Sequence, residues 1–98
     1  MATFITTLHF TEQGIKAVRH TCERASAFKT TAEKLGIKVS GEYWTLGAFD
    51  GVIVFEAPDE ATATAAMLYL SALGNLRTQT ARAFDAAEMQ KILGLLPR

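Results

Sequence analysis

The chain is expected to fold as an α+β domain in the order β-α-β-β-α-β, with a four-stranded antiparallel sheet and two helices on one face. Three observations predict this. Strand-like stretches of period two alternate with helical stretches of period three to four. At mid-chain a Gly-Asp-Gly-bearing turn joins two strands with no helix between them. Each half of the chain repeats a strand followed by a helix, which is the split βαβ arrangement and makes the first and third strands central.

Thr3 to Phe10 is rich in β-branched and aromatic residues. Its alternation puts Phe4, Leu8 and Phe10 on one face and Thr3, Ile5, Thr7 and His9 on the other. Thr11 offers a hydroxyl cap, and apolar positions then recur at Ile15, Val18, Cys22, Ala25, Phe28, Ala32 and Leu35. This marks one face of a long helix from about Glu12 or Gln13 to Leu35, with a break allowed near His20 and Thr21 and Gly36 as its stop. Cys22 falls in that stripe and is expected to pack as a small hydrophobe.

Ile37 to Trp44 alternates again, with Ile37, Val39 and Tyr43 against Lys38, Glu42 and Trp44. The turn Leu46 to Gly51 follows, in which Gly47 and Gly51 can take positive φ. Strand three, Val52 to Glu56, is nearly all apolar, as in a central strand covered on both faces. Asp59 caps a helix from Ala61 to Leu73 that stops at Gly74. Leu76 to Phe84 forms strand four, polar enough for a sheet edge. Asp85-Ala86-Ala87-Glu88 then matches a capping box and starts a short helix through Leu93. The whole is the ferredoxin-like arrangement.

Length and charge narrow the function. Ninety-eight residues form a single domain, 1–98, large enough for its own core. Ten basic and ten acidic residues cancel, which argues against a nucleic-acid binder. One cysteine forms no internal disulfide, and no stretch has the character of a signal peptide or membrane span, so a cytoplasmic setting is expected. Hydrophobic residues make up 49% of the chain, a surplus for so small a domain. Because the helices cover only one sheet face, the other, carrying Ile5 and part of the strand-three run, is expected to pair back to back in a homo-oligomer of at least two chains.

The chain resembles the GYD-domain family, small bacterial and archaeal proteins largely without an assigned function. The matching residues are Phe10-Thr11-Glu12-Gln13-Gly14-Ile15, Glu23-Arg24, Ala32-Glu33-Lys34-Leu35-Gly36, Tyr43-Trp44-Thr45-Leu46-Gly47, Phe49-Asp50, Glu56-Ala57-Pro58-Asp59, Gly74-Asn75, Arg77-Thr78-Gln79-Thr80 and Arg82-Ala83-Phe84. Phe49 stands where the family motif has tyrosine. That family is similar in architecture to dimeric α/β-barrel proteins, which include cofactor-free monooxygenases and isomerases, and in strand order to PII-type regulators. Fold alone transfers no activity.

The candidate ligand-binding residues are His9, Tyr43, Trp44, Phe49, Asp50 and Arg77. Asp50 could act as a base near aromatic walls, although a turn carboxylate that accepts backbone amides is the more ordinary reading. His9 could transfer a proton or serve as a structural hydrogen-bonding residue. Arg77 and Arg82 face opposite ways along one strand; either could grip an anion or form ion pairs. Tyr43 and Trp44 suit a pocket wall or a subunit interface equally. His20, Cys22 and Glu23 diverge around a helix, so no metal is expected, and the absence of a phosphate-binding motif leaves no cofactor to expect. The sequence therefore supports a structural or small-ligand-binding homo-oligomer, with a cofactor-independent enzyme of the dimeric α/β-barrel type as the alternative.

Overall fold

The computed structural model describes residues 1–98. It contains β1 (Ala2–Phe10), α1 (Glu12–Lys16), a 3-10 turn (Val18–His20), α2 (Thr21–Lys34), β2 (Lys38–Trp44), β3 (Gly51–Ala57), α3 (Glu60–Ala72), β4 (Leu76–Ala83) and α4 (Ala86–Leu93). The four strands form one antiparallel sheet in the order β2-β3-β1-β4, so the two strands with the strongest apolar patterning are central.

Alternation decides what each face of the sheet carries. Phe4, Thr6 and Leu8 of β1 are buried, as are Ile53, Phe55 and Ala57 of β3, and they meet Phe28 and Ala32 of α2 and Ala63, Ala66, Met67 and Leu70 of α3. Phe4 and Phe55 stack with ring centroids 5.4 Å apart. Thr6 is a polar residue with no exposed surface in this core. Its hydroxyl lies 2.7 Å from that of Thr80 and also donates to the Met67 sulfur, so the buried group is satisfied. The opposite face carries Ile5, which is 40% exposed, with half-buried Val52 and Val54 beside it.

The long first helix is interrupted at Ala17–His20, close to the expected break. Arg24 explains how the interruption is sustained. Its guanidinium folds back to donate to the carbonyl of Ala17 at 2.9 Å, which also accepts the His20 amide, and to that of Gly14 at 3.5 Å. The expected apolar stripe is only partly buried. Cys22, expected inside, is exposed, as are Ile15, Val18 and Leu35, whereas Phe28 and Ala32 remain in the core.

A second correction concerns β2. Its register shifts between Val39 and Gly41, so Val39 pairs with Phe55 but Tyr43 pairs with Val52. The irregularity moves Glu42 and Trp44 to the helix-covered side and Tyr43 to the open side, splitting the expected set of Val39 and Tyr43. In the hairpin loop Gly47 has φ of 115°, as expected, but Gly51 does not need positive φ. Its constraint is space, because a Cβ there would sit 2.9 Å from the Tyr43 carbonyl oxygen.

Helix ends follow the cap residues. Thr11, Asp59 and Asp85 each accept an amide from the first turn of their helix, and Asp85 and Glu88 complete a reciprocal capping box. Arg82, on the helix side of β4, ties α4 to the sheet. It donates to Glu88 at 3.0 Å, to the Thr3 carbonyl at 3.2 Å and to the Ala83 carbonyl, and lies over the Phe84 ring. The Asp85 amide first, and then Arg82, hold the Glu88 carboxyl below its usual range. Apart from this tie α4 buries no residue, leaving Met89, Leu93, Leu95 and Leu96 exposed.

Gly14 marks the tightest junction. A Cβ at this position would lie 2.0 Å from the Asn75 carbonyl oxygen, a backbone atom that cannot swing aside. Gly14→Ala should therefore lower the unfolding free energy by roughly 2–3 kcal/mol, read as a lower urea midpoint at unchanged slope.

Candidate functional site

Three chain junctions meet at one end of the sheet. The β1–α1 junction is held on successive amides: Phe10 N–H donates to Asp50 Oδ2 at 2.8 Å, and Thr11 N–H donates to the Asn75 carbonyl at 3.1 Å. Thr11 also donates its hydroxyl to the Gly74 carbonyl, and Gln13 reaches the Leu73 carbonyl at 3.1 Å and Asn75 Oδ1 at 3.0 Å. The β2–β3 loop is fastened twice more to β1. The Asp50 amide donates to the Leu8 carbonyl at 2.7 Å, and His9 Nε2 lies 2.9 Å from the Ala48 carbonyl. A carbonyl oxygen only accepts, so this contact requires the proton on Nε2.

Beside these junctions, between α2, α3 and the ends of β2 and β3, lies a cavity of about 120 Å³. Hydrocarbon and aromatic side chains dominate its wall, among them Leu8, Phe28, Ile53 and Leu70 from the core and Trp44 and Tyr69 at the rim. Trp44 Nε1 donates to the Thr21 hydroxyl at 3.0 Å, joining β2 to the first turn of α2 across the cavity. Arg24, Asn75 and Asp50 supply polar edges.

Of the residues singled out from sequence, Tyr43, Trp44 and Asp50 border this cavity. Tyr43 directs its ring over Gly41 on the open face, where a Cβ would lie 2.7 Å from the ring. His9, Phe49 and Arg77 lie outside the lining. His9 and Arg77 are cross-strand partners on the open face, and the Phe49 carbonyl accepts the Thr45 hydroxyl within the loop at 2.6 Å. Arg82 faces the other way, toward the helices, as the alternation along β4 requires.

Glu42 was not among the candidates. The register shift turns it inward, and its Oε2 is shut off from solvent without a hydrogen-bond partner. Burial pushes its carboxyl above the ordinary glutamate value, partly opposed by the charge of Lys29. The available signal was Gly41, since a glycine inside a strand pattern often marks a bulge.

Cavity and fold define a small α+β sheet protein with an apolar, ligand-sized chamber at one end and an uncovered apolar sheet face. The GYD domain model matches residues 4–93, and the chain belongs to the GYD domain family. It is 34% identical over 90 residues to the glutamine synthetase and cystathionine beta-lyase binding protein of Thermus thermophilus, covering 91% of this chain and 95% of that relative.

The raised Glu42 value gives a pH dependence of known sign. Between the ordinary glutamate value and the higher folded-state value, the folded protein holds more protons than the unfolded chain, so stability falls as pH rises through that window. Glu42→Gln should raise the urea midpoint near neutral pH, with the gain shrinking as the pH is lowered through the ordinary glutamate range.

Proposed function

We propose that this protein is a cytoplasmic, non-catalytic binding protein that works as a homodimer and engages other proteins, with a small ligand taken into the end cavity. The observation that carries this reading is the near full-length likeness to a relative named for binding two enzymes. The uncovered sheet face supports the dimer. Ile5, Val52, Val54 and the 63%-exposed Tyr43 form an apolar strip there, the kind of surface that a second copy buries. No helix of the protein is long and apolar enough to cross a membrane.

A cofactor-independent enzyme of the dimeric α/β-barrel type draws on the same cavity. Asp50, the base that such chemistry would use, already accepts the Phe10 amide, and this favours binding over turnover.

Two measurements test the reading. Light scattering at micromolar concentration should return a dimer, and Ile5→Lys should convert it to a monomer with an unchanged circular dichroism spectrum; a monomeric parent protein would contradict the dimer. Immobilised protein should bind purified glutamine synthetase or cystathionine beta-lyase saturably, and capture of neither would overturn the partner assignment.

A further inference from the structure

The polar groups around the end cavity are nearly all committed. Thr21 accepts the Trp44 indole, Asp50 accepts the Phe10 amide, and Arg24 serves the carbonyls of Ala17 and Gly14. Among the buried ones Glu42 is the exception: its Oε2 is the single buried side-chain nitrogen or oxygen in the protein without a partner. A carboxylate oxygen without solvent or a partner carries a desolvation cost, which a donor brought to the carboxylate would offset.

The apolar lining of the cavity rules out a strongly hydrated ligand. No set of basic side chains cradles a phosphate there, and the walls offer a sugar few groups to bind. The volume of about 120 Å³ approaches the roughly 150 Å³ of an apolar cavity known to hold benzene. We propose that the cavity binds a compact ligand with a benzene-sized apolar body and one N–H or O–H donor, and that the donor meets the carboxylate of Glu42, a residue of the cavity wall. The aromatic walls of Trp44 and Tyr69 suit such a body, and the donor can be an ammonium group or a neutral hydroxyl. A ligand of this class deepens the small-molecule part of the proposed function and rests on it. The test uses the isolated protein without partner enzymes, so its failure is distinguishable from a failure of protein binding.

Trp44 is the sole tryptophan and lies in the wall, so its fluorescence reports occupancy directly. The protein is titrated with benzylamine, benzyl alcohol, toluene and benzoate. At least one of the two donor-bearing probes should shift Trp44 emission saturably at about one-tenth the concentration that toluene requires, and benzoate should be the weakest. In Glu42→Leu, toluene should still bind, showing that the cavity persists, while the donor-bearing probes fall to toluene's level. In Glu42→Gln, benzylamine should lose its advantage and benzyl alcohol keep most of its own, which separates a cationic from a neutral ligand. Equal binding of toluene and both donors, benzoate binding as tightly as benzylamine, indifference of the donors to Glu42→Leu, or no saturable change with any probe would each overturn the proposal.

Discussion

Two adjacent backbone amides, those of Phe10 and Thr11, hold this architecture together at one end. The first is taken by a side chain from the β2–β3 loop and the second by a carbonyl from the α3–β4 turn. Each partner is far away in sequence, so the β1–α1 junction fixes the positions of two other junctions at once. Gly14 lets this happen, because only a residue without Cβ allows the first turn of α1 to lie against Asn75. The Thr11-to-Gly14 stretch and Gly74-Asn75, both among the residues that carry the family likeness, are thus two halves of one contact.

The same clamp shapes the cavity. Leu8, Phe10, Asp50, Asn75 and Leu76 all belong to the clamped segments or adjoin them, and all border the empty volume. The side chains that would normally fill such a space are diverted. Trp44 lies at the rim, tied to Thr21, and Gly51 brings no side chain at all. A chamber of this kind lowers packing density in a small domain, a cost that a binding role would justify. The apolar surplus of the sequence thus divides between this chamber, the uncovered sheet face and the projecting α4.

Most of the fold was legible because it rests on local rules. Periods of two and three to four located the strands and helices, and Asp59, Asp85 and Thr11 announced their helix starts as cap residues. The directions of Arg77 and Arg82 followed from the strand pleat. Features set by distant contacts were harder to read. The interruption at Ala17–His20 involves Arg24 reaching back to backbone carbonyls, and the inward turn of Glu42 depends on a one-residue irregularity that reverses every later side chain in β2. Of the six candidate residues, three at or next to the hairpin, Tyr43, Trp44 and Asp50, border the cavity. His9 and Arg77 paired across the open face instead.

Asp50 sits at the centre of this account as a structural carboxylate that locks the hairpin loop to the end of β1. Native-state amide hydrogen exchange at Phe10, compared between the parent protein and Asp50→Ala, tests that role most directly. The account predicts that the variant exposes the Phe10 amide to rapid exchange and loses about 1–3 kcal/mol of stability, while Thr6 at the middle of β1 stays protected up to the level of global unfolding. A Phe10 amide that remains as slow in Asp50→Ala as in the parent, with stability unchanged, would contradict it.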